Sequence, residues 1–296
     1  MSGQDREQIV YGRKACWAIF AQRSQDIQRI YYAVSLREEM APLLKWAAAS
    51  HVLTRELDEE GLRRVSDATH HEGLVLSVKP LRYTALDEAL PGRGTVWVAL
   101  DRVGNPYNAG AILRSCAFFA VERVLVGGVA PGGSVNAAAL RAAQGGAETL
   151  QLVAAEPLAP VLLALSSRGI PIIGLESDAR AAFGAERLTT PCVLVLGHEQ
   201  EGLSVAVRHA CTQLCAIPGK GAVSSLNVSV TAGIALALLS MTARQIGSPP
   251  ASGSRDHREA VRSPSPHSPF HSPGPSGKRG ERTQRRPKPK RIGKAR

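Results

Sequence analysis

The 296-residue sequence lacks the features that mark several large classes of protein. A helix needs about 20 consecutive apolar residues to cross a bilayer, and no run of that length occurs, so a protein without membrane spans is expected. The first ten residues are polar and include Asp5, Arg6 and Glu7. They hold no basic cluster followed by an apolar stretch, the pattern of a secretory leader, so a cytoplasmic location is expected. The five cysteines are Cys16, Cys116, Cys192, Cys211 and Cys215. Their odd number and scatter through apolar segments point to reduced, buried thiols. Cys211 and Cys215 stand near His209, but the spacing fits no zinc pattern and no second cysteine pair follows, so no metal is expected. There is no G-x-x-x-x-G-K-[S/T] phosphate loop. Nor is there a G-x-G-x-x-G after a strand with an acid about 20 residues on, which argues against a dinucleotide enzyme. Gly127–Gly133 is glycine-rich with the wrong spacing and reads as a loop leaving a strand.

Charge is abundant but uneven. The net charge is +11, yet the stretch from Gly247 to Arg296 holds 13 Lys/Arg against 3 Asp/Glu and accounts for about +10 of it. The polyanion-binding signal is therefore mainly a property of the tail. That tail, 247–296, is rich in Ser, Pro and Gly and then in Arg and Lys, with few large apolar residues, so disorder is expected.

Two further regions precede it. Residues 1–79 alternate helix-like and strand-like stretches: a helix Tyr11–Gln22, a strand Arg29–Val34, a helix Arg37–Ala49, a strand His51–Thr54, a helix Leu57–Ser66 and a strand Leu74–Val78. This is the pattern of a small α/β domain. Residues 80–94, with Pro80, Pro91, Gly92 and Gly94, read as a linker. Residues 95–246 place apolar runs at Val96–Leu100, Arg123–Val126, Leu150–Val153, Ile170–Leu175, Cys192–Leu196 and Gln213–Ile217, and close on a helix at Val228–Gln245. Continuous apolar strands separated by helices predict a parallel sheet covered on both faces.

Three segments at strand-to-loop junctions of this second region could carry chemistry, because ligands of open α/β sheets gather at the carboxyl ends of strands. The first runs from Asp101 to Arg114, with Asn108 expected as a helix cap and Gly110 permitting close backbone approach. Taken alone, it is equally a capped helix with a surface arginine. The second, Leu194 to Leu203, leads from a buried strand through Gly197 into Glu199. Taken alone, it is a tight turn with solvated acids, and Glu201 fits that description. The third follows Ile217-Pro218 and includes Ser224, Ser225, Leu226, Asn227 and Ser229 before an apolar helix. A polar helix start accounts for Ser224 but not for the whole cluster.

In order and spacing these segments resemble the three motifs of the SpoU/TrmH branch of the SPOUT methyltransferases. Asn108, Gly110 and Arg114 match Asn-x-Gly-x-x-x-Arg. Gly197, Glu199, Gly202 and Leu203 match Gly-x-Glu-x-x-Gly-Leu. Ile217-Pro218 and Ser225-Leu226-Asn227-Val228-Ser229 match the third. The run Ala139–Glu148 also looks like a helix of that family. The first region resembles the substrate-binding domain that often precedes the catalytic one, with His70-His71-Glu72-Gly73 near the family's His-Gln-Gly and Glu72 in place of the glutamine.

The resemblance implies a Rossmann-like parallel-sheet domain with a C-terminal trefoil knot, behind a small α/β RNA-binding domain. It implies a homodimer that binds S-adenosyl-L-methionine (AdoMet) around Gly197, Ile217, Pro218 and Leu226. Arg114, Asn108, Glu199, Ser225 and Asn227 would serve methyl transfer to a ribose 2′-hydroxyl of RNA. Ribosomal RNA is favoured over transfer RNA. A catalytically silent RNA-binding or ribosome-assembly protein is the competing expectation.

Overall fold

The computed structural model describes residues 7–86, 91–92, 95–127, 135–184 and 190–245. The basic tail, parts of the expected linker and most of the glycine-rich stretch after Gly127 lie outside them.

The first described element is a strand, β1 (Gln8–Tyr11), whose last residue, Tyr11, the sequence pattern assigned to a helix. Helix α1 (Arg13–Arg23) begins two residues later than expected. Between them Gly12 sits at φ +92°, in the left-handed region that side chains rarely adopt. Then come β2 (Ile27–Tyr32), a 3-10 turn at Val34–Leu36 and α2 (Ala41–Ala49). The helix expected over Arg37–Ala49 is thus shorter. Pro42 stands in its first turn, the one part of a helix that tolerates a residue with no N–H. Next are β3 (Leu53–Glu56), α3 (Glu59–Ser66) and β4 (Leu74–Val78). The Asp58 carboxylate accepts from Gly61 N at 2.7 Å and caps α3. The sheet order is β1-β4-β2-β3, with β4 antiparallel to both neighbours and β3 parallel to β2.

The second region is a seven-stranded sheet. Its elements are β5 (Val96–Asp101), α4 (Pro106–Phe118), β6 (Arg123–Gly127), α5 (Ala137–Ala143), β7 (Gln151–Ala154), α6 (Leu158–Ser167), β8 (Ile172–Leu175), β9 (Ala181–Ala182), β10 (Cys192–Leu196), α7 (Val205–Ala210), β11 (Gln213–Ala216) and α8 (Val228–Gln245). The order is β7-β6-β5-β10-β8-β11-β9 and every pairing is parallel. Only the two-residue β9 had no counterpart in the sequence pattern.

Alternation along each strand sorts side chains to two faces. Val98, Leu100, Leu194 and Leu196 pack with α4, α5 and α8. Trp97, Ala99, Val193 and Val195 pack with α6 and α7. The first of these clusters continues without a break into Val10, Ile19, Ile30 and Leu43 of the N-terminal sheet.

Contacts between the two regions are close. A Cβ on Gly145 would lie 2.5 Å from the Ala18 Cβ of α1. The Arg23 guanidinium donates to Glu148 at 2.6 and 3.2 Å and to Lys79 O at 2.9 Å. The Arg23 and Glu148 side chains are only 10% and 4% exposed, and Arg23 Nη1 also lies 3.6 Å from the buried Asp26 carboxylate, so Glu148 is one of two acids that balance this guanidinium.

Candidate active site

The strand order reverses direction at β5/β10, so the loops leaving these two strands open onto a crevice at their carboxyl ends. Asp101 ends β5. It is 3% exposed, and its carboxylate accepts from Ser204 N at 2.6 Å, tying the loop after β10 to the end of β5. Asn105, not Asn108, caps α4. Its Oδ1 accepts from Tyr107 N at 2.9 Å, and Pro106 fills the first helical position. Asn108 therefore lies inside the first turn. The expectation that it precedes the helix is corrected, because the Asn-Pro pair sets the boundary three residues earlier.

The loop after β10 is closed on itself. His198 N donates to Gly202 O at 3.0 Å, and Gly202 N donates to His198 O at 2.9 Å. A Cβ on Gly197 would lie 2.4 Å from the Gly202 carbonyl carbon, so only glycine fits at that position. This closure presents the Glu199 carboxylate to the start of α4. It accepts from Gly104 N at 3.2 Å, Asn105 N at 3.0 Å and Asn108 Nδ2 at 2.9 Å. Burial raises its pKa, but the Asn108 and backbone hydrogen bonds outweigh burial and leave it below the usual carboxylate value. Glu201 faces outward and pairs with Arg102.

Asn227 Nδ2 donates to Asn108 Oδ1 at 3.0 Å. Its own Oδ1 accepts from Ser229 N at 2.8 Å and Ser229 Oγ at 2.7 Å, capping α8. A line of hydrogen bonds thus joins Glu199, Asn108 and Asn227, one residue from each of the three segments. Two clefts meet there. One, of about 600 Å³, is lined by Leu175, Leu196, Gly197, Ile217, Pro218 and Leu226 among others. The other is more open and is lined by Asn105, Asn108, Glu199, Ser225 and Asn227.

A model of the SpoU rRNA Methylase family matches residues 95–237, and one for RNA 2′-O ribose methyltransferase substrate binding matches residues 9–84. The 23S rRNA (guanosine-2′-O-)-methyltransferase RlmB of Nitrosomonas europaea is 32% identical over 233 residues, covering 77% of this chain and 89% of that protein. The chain belongs to the SpoU methylase family. Another relative, the uncharacterized tRNA/rRNA methyltransferase YfiF of Escherichia coli O157:H7, is 33% identical over 78% of this chain; the chain spans 67% of its length. A similar protein of Haemophilus influenzae is spanned to 66%. The solved structure of an RNA 2′-O ribose methyltransferase aligns with a TM-score of 0.65 at 25% identity, covering 81% of this chain and 90% of that one. An AdoMet-bound rRNA methyltransferase from Sinorhizobium meliloti, at 21% identity and a TM-score of 0.65, shares the fold over 82% of this chain and 89% of its own.

Of the SpoU motif residues, Asn108 and Asn227 line the more open cleft, Gly197, Ile217 and Pro218 line the other, and Glu199, Ser225 and Leu226 line both. Arg114 lines neither. It is exposed on α4, six residues beyond Asn108 and so on a different side of the helix. Two carboxylates were not singled out from the sequence. Asp101 sits at a strand end, a position that could have flagged it. Glu176, just past β8, has a side chain 8% exposed that lines the more enclosed cleft, with Arg208 Nη2 2.8 Å from Oε2. That ion pair is not aligned as a hydrogen bond, so Oε2 has no hydrogen-bond donor. Burial raises the Glu176 pKa, and Arg208 opposes that rise.

The cysteines sit in apolar surroundings. Burial pushes the Cys116 thiol up to about 12 and the Cys192 thiol to about 11. Burial, with Glu176 and Asp101 nearby, takes Cys211 to about 12. Among the described residues no group of three or more His, Cys, Asp or Glu is placed to hold a metal ion, and no helix is long and apolar enough to cross a membrane.

Proposed function

We propose that the chain transfers a methyl group from AdoMet to a ribose 2′-hydroxyl of RNA, in ribosomal RNA rather than transfer RNA. The observation that carries this reading is the hydrogen-bonded line from Glu199 through Asn108 to Asn227 at the junction of two clefts. The choice of ribosomal RNA rests on the RlmB relative and on the substrate-binding match over the N-terminal region.

The more enclosed cleft suits AdoMet. Leu175, Leu196, Ile217 and Leu226 offer apolar surface to a base, the loops at Gly197 and Pro218 offer backbone groups, and Glu176 brings a carboxylate to the wall. When bound, AdoMet supplies an electrophilic methyl on a sulfonium. The chain's own residues align and activate a poor nucleophile. Glu199 fixes Asn108 and Asn108 fixes Asn227, which leaves each side-chain amide one N–H for the substrate. Ser225 presents a hydroxyl beside them to position the ribose. Arg114 stabilises the negative charge that develops on the ribose oxygen. It is not the base, because a guanidinium does not release its proton near neutral pH; the hydroxyl proton leaves to water in the more open cleft as the methyl is transferred.

Arg114 does this across a homodimer, reaching the cleft of a second copy. Val230 and Met241 on α8, Val223 and Leu226 before it, and Phe118 on the Arg114 side of α4 are exposed apolar residues, a surface suited to burial against another chain. The trefoil knot that the family resemblance implies belongs to this reading. It is supported by the strand order β5-β10-β8-β11 and by the return of α8 onto α4, where a Cβ on Gly233 would lie 3.9 Å from Ser115 Oγ. Residues 1–79 serve RNA docking, residues 95–246 the chemistry, and the tail 247–296 a phosphate grip without sequence preference. The site of action is the cytoplasm.

The test is incubation with methyl-labelled AdoMet and, separately, unmodified ribosomal and transfer RNA. Label at a mapped ribose 2′-oxygen of ribosomal RNA is expected. Label in transfer RNA alone corrects the substrate class. No label and no AdoMet binding replaces this reading with a silent RNA-binding role.

A further inference from the structure

A third cleft, of about 320 Å³, lies between the two regions, apart from the AdoMet cleft. Its walls are Tyr11 at the end of β1, Arg63, Asp67 and His70 on and after α3, Tyr107 in the first turn of α4 and Arg141 on α5. It is near the lower end of the size range of small-molecule pockets.

The cleft is held in shape. Arg141 Nη2 donates to Glu72 Oε1 at 3.1 Å, and Glu72 Oε2 accepts from Arg13 N at 3.0 Å. Arg141 also packs against Gly12, where a Cβ would lie 3.1 Å from Arg141 Cγ. Glu60 holds Arg63 through two hydrogen bonds, at 2.9 and 3.1 Å. With each guanidinium paired to a carboxylate, the cleft is not a simple anion trap.

Its other features suit a nucleobase. Tyr107 is 60% exposed and offers a flat ring. Asp67, in the left-handed conformation at φ +51°, is an exposed acceptor. The guanidinium edges are donors. Rings, acceptors and donors around one small space are what an unpaired base requires, whereas a duplex is too wide to enter. Tyr107 also lines the open cleft beside Asn108, so the two spaces adjoin.

We propose that this cleft holds an unpaired RNA nucleotide flanking the one that is methylated. The base stacks on Tyr107, its amino edge faces Asp67, and Arg63 and Arg141 face its carbonyl or phosphate oxygens. This rests on RNA being the substrate, and it names how a target is chosen by a nucleotide that is not itself modified.

The test is photo-cross-linking of the full chain to ribosomal RNA transcripts carrying 4-thiouridine or 6-thioguanosine, with adducts mapped by mass spectrometry. Adducts on Tyr11, His70 or Tyr107 are expected. Their absence overturns the proposal, even where adducts form on the tail. In parallel, Tyr107→Ala weakens binding of the same RNA by about tenfold, the scale of one lost stacking contact. The measurement is made at raised salt, which screens the tail's phosphate contacts. Tyr107→Phe, which keeps the ring, restores most of the affinity. Equal loss in both variants, or none in either, overturns the proposal. If these adducts form while no RNA accepts label from AdoMet, the methylation reading fails and the nucleotide cleft stands.

Discussion

The two sheets are stabilised in different ways. The seven-stranded sheet is covered on both faces, and the strands β6, β8 and β10 are buried along their whole length. The four-stranded sheet is small, and its edge strand β3 is exposed throughout. A unit of that size buries a smaller share of its surface and is the more marginal of the two when taken alone. It draws on its neighbour through the shared apolar cluster, the Gly145–Ala18 contact and the buried Arg23–Glu148 pair. The large sheet is therefore the scaffold that positions the chemistry, and the small one is an attachment whose value lies in where it is held.

Substitutions can break or sharpen that contrast. Arg114→Ala should have the largest effect, reducing methyl transfer by at least about 10²-fold, the scale of a lost oxyanion contact. The dissociation constant for AdoMet should stay unchanged. Asn227→Ala should be similarly inactive. Mixing the two inactive variants should recover about a quarter of wild-type activity, because half the dimers are mixed and each mixed dimer has one intact site. No recovery would place Arg114 within its own chain's site.

Glu148→Ala should act on stability instead. Arg23 then keeps only the longer contact to Asp26, so the cost falls below the roughly 3–5 kcal/mol of a wholly unpaired buried charge, and a fall of about 4–8 °C in Tm is expected from about 2 kcal/mol in a chain of this size. AdoMet affinity should persist at lower temperature. A Tm within 1–2 °C of wild type, on the order of noise, would mean that the small sheet is independently stable. Deleting the tail should reduce both RNA affinity and its dependence on salt, leaving the folded body intact. An unchanged salt slope would make the tail irrelevant to RNA.

The smallest effect concerns Glu199. Its depressed folded pKa contributes stability above the unfolded value of about 4.3, and that contribution is lost as pH falls through the folded pKa. Urea midpoints of wild type and Glu199→Gln should therefore differ at neutral pH and converge in acid. A constant difference would sink this assignment of the charge.

The large sheet was the more legible in the sequence. Cys192–Leu196 and Val228–Gln245 have the bounds expected of them, because a continuous apolar run between breakers and a long helical pattern are local signals. In the small sheet only Leu74–Val78 has its expected bounds. Strand β1 was hidden because its four residues owe their conformation to pairing with β4, more than sixty positions away. The three motifs gave the residues of the site but not its wiring. The side chain of Asn108 bonds to Glu199 and Asn227 across separations of 91 and 119 residues, which no spacing rule encodes. The cleft around Tyr107 and Arg141 was illegible for the same reason, since it exists only where the two regions meet.

The unbroken apolar cluster through both sheets has a geometric consequence. A hinge between the regions would have to expose part of that cluster, so the span from Tyr107 and the N-terminal wall to Asn108 is fixed by the folding free energy itself. The molecule then works as a caliper with a locked jaw. An RNA is accepted when the distance between its flanking base and its ribose matches a length set before the two ever meet.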